Sequence, residues 1–284
     1  MKKRQSSSGS WLVAVVVVLA VIAAGVLIWR KAVQTGTEAP APSATAPVAS
    51  TTAASPAEPA IQHPISQAEA GPAEASSAPL PALEASDDSV AKALMGLAGA
   101  GDLRGLLFTD QVIPRIVATV DALPRESVAT RILPVRAPRG AFLTEQQDGR
   151  TLTSDRNAER YAPYMRIVES ADPQALVAWY VRNYPLFQQA YRDLGYPKAY
   201  FNDRLIVAID DMLAAPDLSA PAELVQPKVF YLYADPGLQS LSAGQKLMLR
   251  VGPANEAKIK ARLRTIRAAL VGAKLQPATA PAIH

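Results

Sequence analysis

A chain of 284 residues with 29 basic and 25 acidic side chains has a formal net charge of only +4, which gives no reason to expect a strongly charged partner for the molecule as a whole. The absence of cysteine excludes disulfides, thiolate nucleophiles and cysteine-bound metals. The two histidines, His63 and His284, fall outside the predicted domain, so we expect neither a histidine-based triad nor a metal or other cofactor there.

The first predicted element is a membrane-spanning helix. Residues 11–29 form an uncharged apolar run, and at ~1.5 Å per residue a helix of this length crosses the ~30 Å hydrocarbon layer of a bilayer. The competing interpretation is a cleaved secretory signal, but the run exceeds the ~7–15 residues of a signal core and no small-residue cleavage site follows it. Basic residues within 1–10 slightly outweigh those after the run, which predicts a cytoplasmic N-terminus and export of the remaining chain.

A long segment of low complexity comes next. Residues 30–85 consist largely of Ala, Pro, Ser and Thr with a few Glu, and they show no hydrophobic periodicity. Such a composition buries too little apolar surface to offset the loss of chain entropy, so we predict a disordered Ala/Pro-rich tether. The last residues, 274–284, are predicted to form a loose tail.

Residues 86–273 are predicted to form a single globular domain that is mainly α-helical. Apolar residues recur there at helical spacing over several stretches. Helix starts are indicated by Thr109, Asn202 and Ser242 as N-caps, and by Asp172 as an N-cap followed by proline. The fold class expected is therefore one helical domain, preceded by one transmembrane helix and the tether.

Two short stretches of the domain depart from the helical pattern. Asp148–Gly149 separates two apolar-polar segments and supplies the positive φ values that a tight turn needs, so it predicts a small β-hairpin. Residues 229–233 alternate in polarity and predict a short strand.

Several long motifs carry a family resemblance. The strings "VATVDALPR", "YPLFQQAYRDLGYP" and "PKVFYLYADPGLQSLSAGQKLMLRVG" resemble the bacterial family of unknown function DUF3014, and the resemblance covers Leu83 to Leu270. It implies a single N-terminal span, a Pro/Ala-rich tether and this C-terminal domain, and it transfers no catalytic residue. Together with the charge bias, it predicts a single-pass protein of the bacterial inner membrane with a cytoplasmic N-terminus and a periplasmic domain.

The first candidate site lies at the turn between two predicted helices. It consists of Tyr196, Tyr200, Asn202, Asp203 and Arg204, where aromatic rings could stack on a sugar beside polar and charged groups. The competing interpretation is a local network of capping and ion pairing, with aromatic side chains packed in the core. The sequence leaves both open.

The second candidate site is a basic surface on the last predicted helix. Its members are Lys258, Lys260, Arg262, Arg264 and Arg267, which lie off the apolar stripe of that helix. We expect such a surface to attract an anionic partner, whereas the competing interpretation is a solvated helix face. No nucleic-acid partner is expected, because the predicted compartment excludes it.

Two further groups could carry catalysis. Asp203 with Asp210 or Asp211 could act as an acid–base pair for glycan hydrolysis, although the helix dipole and a solvated face also explain these carboxylates. Ser242 lies four residues before Lys246, but the position of Ser242 is typical of a helix cap rather than a nucleophile.

The sequence thus favours a binding protein over an enzyme. We expect a membrane-anchored envelope protein that contacts the lipid bilayer through residues 11–29 and whose domain binds another envelope component, a protein or the cell-wall glycan. The alternatives are a peptidoglycan hydrolase, or a regulator of one, that uses carboxylates near Asp203, and an oligomeric envelope scaffold.

Overall fold

The computed structural model describes residues 60–69, 79–99 and 102–272, which form helices and one small sheet. The helices are α1 Asp87–Leu97, α2 Val112–Ala122, α3 Ala162–Ser170, α4 Pro173–Asp193, α5 Phe201–Leu213, α6 Pro236–Ser240, α7 Ala243–Val251 and α8 Pro253–Leu270. The strands are β1 Thr144–Gln147, β2 Arg150–Thr153, β3 Glu223–Val225 and β4 Leu232–Tyr233. The predicted mainly helical fold is confirmed.

The predicted membrane span cannot be compared with this fold, because residues 11–29 lie outside the described ranges. So do residues 1–10, most of the tether and the tail 274–284. Among the helices of the described ranges, none combines the length and the apolar character needed to cross a bilayer.

The main core lies where α2, α4, α5 and α8 pack against one another. Helix α8 shows why its sequence folds this way: Ile259, Leu263 and Ile266 recur every three or four residues and are each at most 1% exposed. Burying an aliphatic side chain of this size contributes roughly 1.5–3 kcal/mol. Helix α7 closes one side of the core by packing on α5 and α8.

The sheet is larger than the sequence predicted. The hairpin is confirmed, since Asp148 (φ 51°) and Gly149 (φ 74°) form the turn between β1 and β2. Strands β3 and β4 extend it to a four-stranded antiparallel sheet in the order β1-β2-β3-β4. β3 has only three residues, too few for a clear alternation, and the strand predicted from 229 begins at Leu232 instead.

Two of the predicted helix caps are confirmed. The Asp172 carboxylate accepts a hydrogen bond from the Gln174 N–H at 2.9 Å. Ser242 forms a full capping box with Gln245, in which each side chain accepts from the backbone N–H of the other residue.

Two other predicted caps are wrong. Helix α2 begins at Val112, not after Thr109, because the Asp87 carboxylate of α1 accepts from the Val112 N–H at 2.9 Å and serves as its cap from a distance. Helix α5 begins at Phe201, whose N–H donates to the Gln188 side chain of α4 at 2.9 Å. Asn202 therefore lies inside the first turn.

The end of the predicted tether belongs to the domain. Leu83 is 7% exposed and lies in the main core, which Ile65 also contacts. The Glu69 N–H donates to the Ala269 carbonyl of α8 at 2.8 Å. The predicted domain start at 86 is therefore too late, because contacts distant in sequence hold 60–69 and 79–85 on the helices despite their tether-like composition.

Candidate functional site

Asn202 and Asp203 of the first candidate site bind the chain itself. The Asp203 carboxylate accepts from the N–H groups of Gln62 at 3.1 Å and His63 at 2.7 Å. The fully buried Asn202 donates to the His63 carbonyl at 2.8 Å and accepts from the Tyr180 hydroxyl at 3.3 Å. Contrary to the sequence-based expectation, His63 lies against the domain, where its backbone is held.

Tyr196 and Arg204 converge instead on Asp121, a 7% exposed carboxylate that sequence reasoning missed. Arg204 Nε lies 3.0 Å from one carboxylate oxygen, while Arg125 contacts the other at 2.5 Å. The Tyr196 hydroxyl accepts from Arg125 at 2.7 Å, which, with the Asp121 charge, raises the pKa of Arg125. Tyr200 is half-buried at the N-cap of α5 and joins neither group. The five predicted residues therefore divide between two sets of contacts, with Tyr200 in neither.

The basic surface on α8 is largely neutralised by neighbouring groups. Lys258 pairs with Glu169 at 2.5 Å, and Arg262 donates to the carbonyl of the same residue at 2.8 Å. Arg267 binds the Asp210 carboxylate through two nitrogens at 2.5 and 3.0 Å. These partners come from α3 and α5, which the sequence of α8 alone could not reveal.

The remaining two basic residues of α8 differ from each other. The Lys260 side chain is 6% exposed and does not belong to the surface; it contacts Glu256 at 2.9 Å, Asp217 at 2.7 Å and the Ala215 carbonyl at 2.6 Å. Burial lowers the pKa of Lys260, but its acidic partners outweigh this and leave the pKa raised. Arg264 is exposed and has no ion pair among the described residues.

The carboxylates considered for hydrolysis point to different partners. Asp203 holds the 62–63 backbone, Asp210 pairs with Arg267, and Asp211 accepts from the Ser242 hydroxyl at 2.6 Å. Burial raises the pKa of Asp211. Each carboxylate therefore has a structural explanation, and no group of three metal-ligating side chains comes together within the ranges that the structure describes.

A cavity of about 380 Å³ lies between the sheet and α7, and we call it the aromatic pocket. Its lining residues are Ala141, Phe142, Arg160, Tyr161, Leu224, Val229, Phe230, Tyr231, Tyr233 and Arg250. The rings of Phe142 and Tyr231 lie 6.2 Å apart and are tilted by 45°. Burial raises the pKa of both Tyr161 and Tyr233, which keeps their hydroxyls neutral. The string "VFYLY" contains four of the ten residues that line this pocket.

A second cavity of about 380 Å³ adjoins the first, and we call it the arginine pocket. Its lining residues are Asp102, Gly105, Leu106, Arg136, Ala137, Arg139, Glu159, Arg160, Pro163, Tyr164 and Arg166. Burial raises the pKa of Tyr164 to about 12, so its hydroxyl remains a donor to the Arg136 carbonyl at 2.8 Å. The four arginines come from a loop and from the region around α3. No local sequence motif therefore predicted that they would line one pocket.

The chain matches a family model described as "Protein of unknown function (DUF3014)" over residues 112–267, more than half of its length. The chain belongs to the DUF3014 family. The matched part of this DUF3014 protein runs from the start of α2 into α8 and contains Asp121, the aromatic pocket and most of the arginine pocket. No curated protein and no solved structure is significantly similar to the chain.

Proposed function

We propose that this DUF3014 protein is a single-pass inner-membrane protein whose periplasmic domain binds another envelope component in the aromatic pocket. The uncharged run 11–29 and the distribution of basic residues around it support the membrane placement. The observation that carries the binding role is the aromatic pocket itself, which brings five aromatic rings and two guanidinium groups to one open cavity.

The aromatic pocket suits binding because its apolar walls on the sheet side, unlike Tyr161, do not belong to the main core. Ala222, Leu224 and Tyr233 form a small cluster separate from the helical core, and Phe142 and Tyr231 pack against it while only partly buried. Each Å² of this apolar surface that a ligand covers contributes roughly 25 cal/mol. A ligand can therefore gain affinity here without any rearrangement of the four-helix core.

The candidate catalytic groups favour binding over catalysis because their hydrogen bonds and ion pairs are made within the protein. Ser242 caps α7 and donates to Asp211, and the other candidate carboxylates are held by backbone amides or by an arginine. A general acid or base needs to reach a substrate proton, whereas these groups are engaged with the protein itself.

Site-specific photocrosslinking in intact cells tests the binding role. A photoreactive phenylalanine derivative replaces Tyr231 in the aromatic pocket, and in a matched control it replaces Tyr200, a half-buried tyrosine outside both pockets. We expect a light-dependent adduct at position 231 only, whose mass distinguishes a lipid, a glycan or a protein. Equal adducts at both positions, or none at 231, would refute the assignment of the pocket.

The membrane placement needs its own test. A reporter enzyme that is active only outside the cytoplasm, fused after Pro47, should be active in cells that insert the protein. An inactive reporter on a correctly inserted chain would remove the periplasmic assignment.

A further inference from the structure

The two sheet-side cavities share one residue. Arg160 lines both the aromatic pocket and the arginine pocket, and it holds the loop between them. Its Nε donates to the Arg139 carbonyl at 3.3 Å and its Nη2 to the Gly140 carbonyl at 3.1 Å. The third contact, from Nη1 to Asn157, is 3.5 Å long. Of the five N–H donors of a guanidinium, two therefore remain for a ligand at the boundary of the two cavities.

The arginine pocket has an excess of positive charge that the protein leaves uncompensated. Four guanidinium groups line it against two carboxylates, Asp102 and Glu159. In the described part of the chain, none of these four arginines forms an ion pair with a carboxylate. Arg136 instead lies over the Phe108 ring at 4.8 Å, a contact that orients its guanidinium without neutralising it.

This arrangement contrasts with the basic surface on α8. There, Lys258 and Arg267 are each paired with a carboxylate, and Lys260 is buried against two. Because Arg139 and Arg166 are exposed and lack such partners, an incoming anion can pair with them without displacing a protein carboxylate. The anionic-partner role predicted for α8 therefore fits the arginine pocket better.

We propose that the aromatic and arginine pockets form one site for an alkyl phosphate, with the alkyl chain in the aromatic pocket and the phosphate among Arg139, Arg160 and Arg166. This inference rests on the proposed function in taking the aromatic pocket as a binding site. Guanidinium groups bind phosphate oxygens through paired, charge-assisted hydrogen bonds, and aromatic walls cover an alkyl chain. The ligand class comprises phosphate-headed lipids and free alkyl phosphates.

The test uses the full chain in nanodiscs of zwitterionic phosphatidylcholine and measures ligand binding by equilibrium dialysis. The probes are inorganic phosphate, butyl phosphate, hexyl phosphate and 1-hexanol, the last having the same chain as hexyl phosphate without a charge. Each buried methylene strengthens binding about fourfold, so hexyl phosphate should bind about 15-fold more tightly than butyl phosphate. 1-Hexanol should bind at least about tenfold more weakly than hexyl phosphate, because it cannot form the charge-assisted hydrogen bonds that phosphate forms with the guanidinium groups.

Matched variants locate the phosphate. The double variant Arg139→Ala/Arg166→Ala should weaken hexyl phosphate binding at least about tenfold. The control Arg192→Ala/Arg264→Ala removes the same charge from exposed positions outside both pockets and should leave binding within about twofold. Circular dichroism establishes that both double variants are folded.

The outcomes separate this inference from the proposed function. Equal binding of hexyl phosphate and 1-hexanol would overturn the phosphate assignment and leave the aromatic pocket as an apolar site. No binding of either would overturn the composite site, while the photocrosslink at Tyr231 decides the proposed function by itself. Adding phosphatidic acid to the nanodiscs distinguishes the sources, because competition with hexyl phosphate assigns a lipid headgroup and its absence assigns a free alkyl phosphate.

Discussion

The polar residues around α5 and those around the arginine pocket differ in how the protein itself uses them. Near α5, the Asp121 carboxylate pairs with Arg125 and Arg204, and Asp203 holds the backbone of 62–63. In the arginine pocket, the guanidinium groups of Arg139 and Arg166 form no ion pair with a carboxylate among the described residues. The comparison teaches that polar groups satisfied within the protein stabilise the fold, whereas charges left without an ion pair remain available to a ligand.

The largest effect on the free energy of unfolding should follow from removing Lys260, a buried charge that is paired with a buried carboxylate. Lys260→Met leaves Glu256, 2% exposed, without its cation, and we expect a loss of about 3–5 kcal/mol in the free energy of unfolding. The measurement is denaturant unfolding of the full chain at pH 7. The double variant Glu256→Gln/Lys260→Met should recover most of the loss, and a double variant as unstable as the single one would show that the ion pair is not the cause.

The same variant has a pH signature. Burial already raises the pKa of Glu256 while Lys260 opposes the rise, so Lys260→Met raises that pKa further. When the pKa of a carboxyl group is higher in the folded state than in the unfolded state, the folded state takes up the proton at a higher pH as the pH is lowered. The loss of unfolding free energy should therefore be largest at a pH above the folded-state pKa of Glu256. It should become smaller as the pH falls through that pKa towards the ordinary value of 4.5. A pH-independent loss would contradict this.

A smaller effect is expected at Asp121, which has more solvent around its partners. Asp121→Asn removes the charge that Arg204 and Arg125 share, and we expect about 2 kcal/mol of destabilisation in denaturant unfolding. Arg125→Ala is the matched control: its side chain is 53% exposed, so it should cost less than about 1 kcal/mol. If the two losses were equal, the cluster would not be centred on Asp121.

We predict that the contact between residues 60–69 and the helices depends on one carboxylate, that of Asp203. Asp203→Ala removes the acceptor for the Gln62 and His63 amides, so these two N–H groups should exchange with deuterium at least about tenfold faster, which corresponds to about 1.4 kcal/mol. The measurement is hydrogen–deuterium exchange of the full chain. Asp193→Ala, at an exposed carboxylate, should leave the exchange of both amides unchanged.

The smallest effect on stability is expected in the arginine pocket. Arg166→Ala removes an exposed guanidinium without an ion pair in the described ranges, and it should change the free energy of unfolding by less than about 0.5 kcal/mol. Thermal and denaturant unfolding both measure this. A loss of 2 kcal/mol or more would place Arg166 with the structural charges near α5 and break the comparison.

Local signals predicted much of the fold and little of the site. Asp148–Gly149, Asp172 and Ser242 were identified because turns and caps depend on residues a few positions apart. The caps at Thr109 and Asn202 were wrong because Asp87 and Gln188, distant in sequence, supply the acceptors. Asp121 was missed because only its pairing with Arg125, four residues on, could be inferred from the sequence, whereas Arg204, which completes the cluster, is distant in sequence.

By itself, the sequence determined the helical periodicity, the hairpin, the family and the prediction of a membrane anchor, since each depends on composition or on short-range spacing. Only the tertiary structure decided which charges are neutralised, because Lys260 finds Asp217 and Arg267 finds Asp210 across the packed helices. It also decided that Arg160 stands between two cavities. An ion pair or a pocket depends on distances in space, and chain packing fixes those distances independently of the spacing of residues in the sequence.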